Sequence, residues 1–194
     1  MKQLISFLAV LTLSLSTTMA QDLGTNPQVT LHTNMGDIKL ELFPKEAPIT
    51  VENFLQYAND GFYEGTVFHR VISHFMIQGG GMELVEDEGG DRLVGKQTRE
   101  SIINEADNGL QNTRGTVAMA RTNDVNSASS QFFINVELNG SLDHKGKDDS
   151  RSWGYAVFGR VIDGMDVVDD IRFVETGPND VPNEPVIIES VEVH

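Results

Sequence analysis

The alternation of apolar and polar residues along the chain predicts a series of short β-strands. Residues 29–32 and 37–42 alternate with period two on either side of Asn34-Met35-Gly36, a pattern typical of a β-hairpin with one buried face. Further strand-like segments are residues 66–71, 75–79, 116–120, 132–136, 155–161 and 186–193. Residues 79–112 show no such repeat, so this stretch is expected to form a long irregular loop that is functional or mobile.

Two segments have helical rather than strand spacing. Apolar residues recur every three or four positions from Val51 to Ala58, after Pro48 and before Gly61, which predicts an amphipathic helix of about three turns. Residues 166–172 predict a short second helix. Many short strands with few helices favour a sheet closed on itself, and the pattern alone does not separate a barrel from a sandwich.

The first twenty residues have the layout of a secretory signal peptide. Lys2 is followed by an uncharged segment, an apolar run over residues 4–15 and small residues that end at Ala20. The apolar run is short of the ~20 residues that usually cross a bilayer, so no membrane segment is expected in the mature form. Residues 21–27 are then a short polar lead-in and residues 28–194 a single domain. We therefore expect the protein to be exported. A Gram-negative periplasm fits best as its location, with secretion as the alternative.

Composition narrows the classes of function. The formal net charge is −15, and without a cluster of Lys and Arg no nucleic-acid partner is expected. The chain has no cysteine, which excludes disulfide and thiolate chemistry. The histidines lack metal-ligand spacing, and Gly79-Gly80-Gly81 lacks the helix and the Lys-Ser/Thr of a phosphate-binding loop. We therefore expect neither a metal nor another cofactor.

Three stretches are richer in aromatic and polar side chains than plain strands require: residues 67–81, residues 115–122, and residues 126–135 with 155–159 downstream. Strand alternation puts Arg70 on one face of its strand, and it puts Met76 and Gln78 together on one face of the next. Arginine, methionine and glutamine can therefore lie side by side on neighbouring strands.

These stretches resemble the cyclophilin family of peptidyl-prolyl isomerases. The strings Phe68-His-Arg-Val-Ile, Phe75-Met-Ile-Gln-Gly-Gly, Ser130-Gln-Phe-Phe-Ile and Val157-Phe-Gly-Arg-Val occur in family order, and the likeness extends over residues 28–193. The resemblance implies a closed eight-stranded antiparallel β-barrel capped by two α-helices, with the site on its outer face. It also implies cis–trans isomerisation of X-Pro peptide bonds.

The resemblance assigns roles residue by residue. Arg70 matches the family's catalytic arginine, while Gln78 and Gln131 match polar groups that flank the substrate backbone. Tyr155 falls where many eukaryotic members have histidine. The walls of the proline pocket correspond to Phe75, Met76, Phe133 and Leu142. The segment that lies along the bound peptide corresponds to Ala120, Arg121 and Thr122, where backbone contacts matter more than side chains.

The chemistry of amide rotation explains why such residues suffice. The barrier is about 18–20 kcal/mol because the nitrogen lone pair is delocalised into the carbonyl. In the twisted transition state the lone pair returns to nitrogen, which can then accept a hydrogen bond. A guanidinium placed there stabilises the twisted state more than the planar one. No bond is broken, so neither a nucleophile nor a cofactor is required.

One position departs from the family pattern. Ser141 stands where the members most sensitive to cyclosporin carry Trp, just before the Leu142-Asp143 pair. Trp153 lies at the end of the following loop, and the sequence leaves open whether its ring folds back to replace the missing one. We expect weak cyclosporin binding with isomerase activity retained.

Each of these residues also has an ordinary structural interpretation. An arginine on a strand is commonly a surface ion-pair residue, Phe75, Met76 and Phe133 could be core, and Gln131 could cap a turn. The sequence as a whole favours an isomerase that assists folding of unfolded or partly folded exported polypeptides containing X-Pro bonds. The alternative is a proline-recognising binding module or holdase chaperone without turnover.

Overall fold

The computed structural model describes residues 26–87 and 90–194, apart from the side chain of Asp91. The predicted signal peptide and residues 21–25 of the lead-in lie outside the described residues. The strands are β1 (Gln28–Thr33), β2 (Gly36–Leu42), β3 (Arg70–Ile72), β4 (Met76–Gly79), β5 (Met82–Asp87), β6 (Gly90–Gly95), β7 (Thr116–Met119), β8 (Phe132–Asn135), β9 (Val157–Asp163) and β10 (Ile188–Val193). The helices are α1 (Pro48–Asn59), α2 (Ser150–Trp153) and α3 (Met165–Arg172).

Eight of the strands form one antiparallel sheet in the order β10-β1-β2-β9-β7-β8-β4-β3. The prediction of a mainly β fold is confirmed, but the prediction of a closed barrel is wrong, because the sheet curves through 223° and stays open. Its two edge strands, β3 and β10, do not pair with each other. The predicted strand over residues 66–71 is regular only from Arg70, and before it a single bridge joins Val67 to Ile187 across the gap. Backbone hydrogen bonds from Phe68 to Val186 at 2.9 Å and from Ile188 to Thr66 at 2.8 Å accompany this bridge, but they do not continue as a ladder between β3 and β10.

The predicted hairpin and both predicted helices are present, and a one-turn helix, α2, was not predicted. The concave face of the sheet is filled by aromatic rings around Phe54 of α1, whose ring centroid lies 5.1, 5.5 and 5.2 Å from those of Tyr63, Phe132 and Phe158. The first turn of α1 is closed by Glu105, which accepts hydrogen bonds from the Thr50 amide at 2.8 Å and its hydroxyl at 2.7 Å. A carboxylate at a helix N-terminus satisfies otherwise unpaired N–H groups. No helix among the described residues is long and apolar enough to cross a membrane.

Residues 79–112 are more ordered than predicted. Strands β5 and β6 form a separate two-stranded hairpin within them, whereas most of residues 96–112 is irregular. Met82, Leu84 and Val85 alternate with acidic residues only in part, which is why the period-two signal was weak.

The segment between α3 and β10 contains an unusual turn at Asn179 and Asp180. Asn179 and Asp180 have φ angles of 62° and 61°, and they alone among the described non-glycine residues have positive φ. Left-handed backbone costs a non-glycine residue on the order of 1 kcal/mol or more, and Asn and Asp tolerate it better than most. The loop that carries this turn is pinned at its base by hydrogen bonds from the Gly177 amide to the Val181 carbonyl and from the Asn183 amide to the Glu175 carbonyl.

Candidate active site

Strand alternation divides the apolar residues of the sheet between two clusters. On β8, Phe132 and Ile134 face the main core, whereas Phe133 between them belongs to a second cluster on the convex face with Met76, Ala118 and Val157. Phe75, Leu142 and Tyr155 pack against this second cluster while remaining partly exposed. The same alternation that builds the core therefore builds an apolar surface on the outer side of the sheet.

All eleven residues predicted for the site lie together on this outer face. A cavity of about 110 Å³ is lined by nine of them: Arg70, Phe75, Met76, Gln78, Ala120, Arg121, Phe133, Leu142 and Tyr155. The other two, Thr122 and Gln131, line an adjoining cleft of about 330 Å³ that shares Gln78, Ala120 and Arg121 with the cavity. The first cavity is called the pocket below. It combines apolar walls with two cationic side chains, Arg70 and Arg121, and one amide side chain, Gln78.

Arg70 opens strand β3 and is paired in register with Gln78 on β4. Its side chain is 43% exposed, and its Nε lies 3.4 Å from Oδ2 of Asp180, with which it forms an ion pair. Gln78 instead donates from Nε2 to Oε1 of Gln131 at 2.9 Å. The guanidinium is thus held at the rim of the pocket, and the two amides are linked beside it.

The side chain of Arg121 is held by the segment that precedes Tyr155. Its Nε and Nη2 donate to the Gly154 carbonyl at 3.0 and 2.9 Å, and its Nη1 donates to the Ser150 hydroxyl at 2.9 Å. The guanidinium also lies 4.5 Å from the centroid of the Tyr155 ring, which in turn meets Phe133 edge to face at 5.7 Å. Arg121 therefore fixes the 150–155 segment and the ring of Tyr155.

The three consecutive glycines allow strand β4 to pass close to the site. A Cβ on Gly80 would lie 2.7 Å from the Phe132 ring, and the φ of Gly80 is 80°. A Cβ on Gly81 would lie 2.8 Å from Nε2 of Gln131. Gly80 therefore excludes a larger residue, and at Gly81 a larger residue would require Gln131 to move, which gives these glycines a packing role.

A buried amide network supports the pocket walls, and sequence reasoning missed it. Asn139 donates from Nδ2 to the Phe75 carbonyl and to Oδ1 of Asn135, both at 2.7 Å. Asn135 in turn donates from Nδ2 to Oδ1 of Asn112 at 3.2 Å, and the backbone amide of Asn112 donates to Oδ1 of Asp143 at 2.7 Å. The network ties the backbone at Phe75 to the turn that carries Leu142. Asparagines are mostly exposed in proteins, so Asn135, inside the apolar run of residues 132–136, was the one signal in the sequence.

The ring of Trp153 does not replace the family's missing tryptophan. It packs against His144, with ring centroids 5.5 Å apart, and the Lys147 ammonium lies 4.7 Å from its centroid. Ser141 is exposed, and with Leu142 it lines a third and larger cleft of about 640 Å³. The described residues that line that cleft do not include Trp153.

His69 precedes Arg70 and is mostly buried behind the pocket. Burial lowers its pKa from 6.5, and the charge of Arg70 acts in the same direction, while the polar groups of Val67 and Gln131 oppose the shift. Its Nδ1 is buried without a hydrogen-bond partner among the described residues. No group of three or more His, Asp or Glu side chains in the described segments could hold a metal ion.

Comparison with known proteins gives one family for almost the whole described chain. Residues 28–193 match the family described as "Cyclophilin type peptidyl-prolyl cis-trans isomerase/CLD". Among similar proteins, peptidyl-prolyl cis-trans isomerase B of Escherichia coli is 55% identical over 169 residues, which cover 85% of this chain and 98% of that protein. Peptidyl-prolyl cis-trans isomerase A of Dickeya dadantii is 48% identical over 173 residues, with coverages of 87% and 85%.

A solved structure is similar in fold. The cyclophilin-type peptidyl-prolyl cis-trans isomerase of Cryptosporidium parvum, crystallised in the presence of the dipeptide Ala-Pro, has a TM-score of 0.69 and 28% sequence identity. The match covers 86% of this chain and 98% of that one.

Proposed function

This chain belongs to the cyclophilin family and is a peptidyl-prolyl cis-trans isomerase, and on that premise we propose that Arg70 is its electrostatic catalyst. The observation that carries the proposal is the Arg70 guanidinium at the rim of an apolar pocket. The second arginine there, Arg121, has its guanidinium engaged by Gly154 and Ser150. The alternative of a binding module without turnover would need the pocket but not the cation. The described residues supply both.

The pocket is suited to an apolar ring whose attached amide remains outside. Met76 and Phe133 are almost fully buried, at 2% and 4% exposure, so they form a rigid floor. Phe75, Leu142 and Tyr155 are partly exposed around it. A prolyl ring seated here would be held by dispersion and burial of apolar area, and the carbonyl that precedes it would be free to rotate.

Catalysis requires stabilisation of the twisted amide over the planar one. The pyramidal prolyl nitrogen of the twisted state accepts a hydrogen bond, and a terminal N–H of Arg70 is the donor that we assign to it. Arginine suits this role because it stays charged and offers several donors in a fixed plane. Each 1.4 kcal/mol or so of differential stabilisation accelerates rotation tenfold.

The polar groups beside the pocket suit an extended peptide backbone. Gln78 and Gln131 line the adjoining cleft together with the segment of Ala120 and Thr122. That segment is fixed by hydrogen bonds from the Ala120 amide to the Gln131 carbonyl and from the Thr122 amide to the Ser127 hydroxyl, both at 2.9 Å. We assign this cleft to the residues that flank proline in the substrate.

The test of Arg70 is X-Pro isomerisation of a short peptide, followed by NMR exchange with the parent protein and the Arg70→Ala and Arg70→Lys variants. Loss of one preorganised donor typically lowers the catalysed rate by about 10²–10³. We expect a loss of that size in Arg70→Ala and a smaller loss in Arg70→Lys, with melting temperatures near that of the parent because the side chain is half exposed. Full activity in folded Arg70→Ala would refute the assignment.

The substrates that we propose are unfolded or partly folded exported polypeptides with X-Pro bonds, whose folding the enzyme assists. The support is the layout of residues 1–20 and, for proline itself, the Cryptosporidium parvum relative crystallised with Ala-Pro. Uncatalysed isomerisation takes roughly 10–100 s and can limit folding. Periplasmic location predicts a mature chain that begins at Gln21 in the periplasmic fraction. A chain that retains Met1 in the cytosolic fraction would contradict it, and recovery from the medium would favour secretion.

A further inference from the structure

We propose that Asp180 is a positioning residue for the isomerase reaction, because its carboxylate orients the Arg70 guanidinium across the pocket. The inference rests on the proposed role of Arg70. The described residues that line the pocket do not include Asp180, so it acts through Arg70 rather than on the peptide. Nothing in the local sequence joins the two residues, which are 110 positions apart.

The first supporting observation is the part of the guanidinium that Asp180 occupies. Its Oδ2 lies 3.4 Å from Nε of Arg70, and within the described part of the chain no hydrogen bond engages Nη1 or Nη2. Contact at Nε fixes the direction of the guanidinium plane while it leaves the outer edge, with its four N–H donors, for the substrate. The distance exceeds that of a tight ionic hydrogen bond, as is common for catalytic contacts before substrate is bound.

The second observation is the backbone that presents the carboxylate. Asp180 and its neighbour Asn179 are the two non-glycine residues of the described chain with left-handed φ. The loop around them is held by a bridge between Thr176 and Pro182 and by the Gly177–Val181 hydrogen bond of 2.8 Å. Strained backbone that the surroundings keep in place is found mainly at functional sites. Here the left-handed backbone at Asn179 and Asp180 places the Asp180 carboxylate beside Arg70.

The third observation is the exposure of the pair. The side chains of Arg70 and Asp180 are 43% and 46% exposed, so the ion pair contributes little to stability. A contact with small stabilising value, held by strained backbone, is better explained by its effect on the geometry of Arg70.

The experiment measures kcat and KM for a short X-Pro peptide with Asp180→Ala, Asp180→Asn and Asp180→Gly. Misplacement of a catalytic group by 1 Å can lower a rate by up to about 10²-fold. We expect about a tenfold fall in kcat for Asp180→Ala, with KM changed less than about twofold. Asp180→Asn, which retains an acceptor oxygen, should lose less. Asp180→Gly accepts the left-handed φ without strain, so it should fold at least as well as the parent and still lose activity.

If Asp180 acts by positioning Arg70, the effect of Asp180→Ala on activity must depend on the presence of Arg70, whereas a general structural effect would not. In an Arg70→Lys background, Asp180→Ala should change the remaining activity by less than about twofold, since the group that it orients is gone. The NMR signal of the Arg70 Nε–H group should shift and broaden in Asp180→Ala. Glu41→Gln, which breaks the 2.8 Å ion pair with Arg160 elsewhere on the sheet, is the matched control and should leave both readouts unchanged.

Three results would overturn the proposal: parent-like or higher activity of Asp180→Ala, full activity of Asp180→Gly, or an equal loss in the Arg70→Lys background. If Arg70→Ala is itself inactive while Asp180→Ala is active, the positioning role fails alone. If Arg70→Ala is active, the proposed catalyst fails and the positioning role falls with it.

Discussion

Replacement of Gly81 by alanine should weaken catalysis without unfolding the protein. Gly81 does not have left-handed φ, so alanine can adopt its backbone conformation. A Cβ there would overlap Cγ of Gln131 and lie 2.8 Å from its Nε2 and 2.9 Å from its Cδ, whereas non-bonded carbon atoms are best separated by about 3.5–4.0 Å. The Gln131 side chain must therefore move by on the order of 1 Å. Because the overlap includes Cγ, close to the backbone of Gln131, we expect a stability loss of about 1–3 kcal/mol.

The movement of Gln131 determines the size of the catalytic effect. It breaks the 2.9 Å hydrogen bond from Gln78 and displaces part of the lining of the cleft assigned to the peptide backbone. A net contribution of about 0.5–1.5 kcal/mol for one hydrogen bond corresponds to a two- to tenfold fall in kcat/KM, by order of magnitude. The assay is peptide X-Pro exchange by NMR, with the melting temperature measured on the same samples.

Gly95→Ala provides the control. It also lacks left-handed φ, and its Cβ would meet only the Met82 sulfur, at an ordinary 3.8 Å. This variant should keep the activity and melting temperature of the parent. Unchanged kcat/KM in Gly81→Ala, with Gln131 displaced in its structure, would show that the Gln78–Gln131 pair does not take part in catalysis.

Three further predictions concern single side chains. Since the pKa of His69 is below 6.5 in the folded protein, the unfolded state binds its proton first, so stability should fall as pH drops below about 6.5 and level off beneath the folded pKa. Denaturation at pH 7 and pH 5 should show a smaller difference for His69→Gln than for the parent, and an equal difference would contradict the assignment. The pKa of Asp107 is held below 3.8 chiefly by Lys147, and that of Asp169 chiefly by Arg114. Both carboxylates therefore affect stability only at a pH lower than the range compared here. Arg121→Lys cannot reproduce the contacts with Ser150 and Gly154, so it should raise KM more than it lowers kcat; unchanged KM would show that the 150–155 segment does not depend on Arg121. Because Ser141 offers no ring and Trp153 packs elsewhere, cyclosporin should bind with a Kd above about 1 µM, and Ser141→Trp should tighten it; submicromolar binding to the parent would be contrary to this reasoning.

Local pattern was sufficient for the elements that pack against one core. Period-two alternation located β1 and β2, and helical spacing located α1, because each buries one face. Alternation also placed Arg70, Met76 and Gln78 on neighbouring strands, as observed. The roles assigned to these residues came from the family strings, since Met76 and Phe133 would otherwise be taken for core.

Features that depend on distant parts of the chain could not be predicted. The closure of a sheet depends on its accumulated curvature, and periodicity carries no information about that. The link from Asp180 to Arg70 and the one from Glu105 to Thr50 each join segments that are far apart in sequence. The Asn135–Asn139 network was missed for a similar reason, because a buried asparagine is recognisable only once its partners are in place.

The most direct test of the central claim is the rate of X-Pro rotation on the enzyme itself. NMR line-shape analysis of a peptide at saturating protein separates this rate from the dissociation constant. If Arg70 stabilises the twisted amide, Arg70→Ala should slow the on-enzyme rotation by about 10²-fold while the Kd of the peptide changes less than about threefold. An unchanged rotation rate with a much larger Kd would show that Arg70 serves in binding alone, and that the catalytic group lies elsewhere.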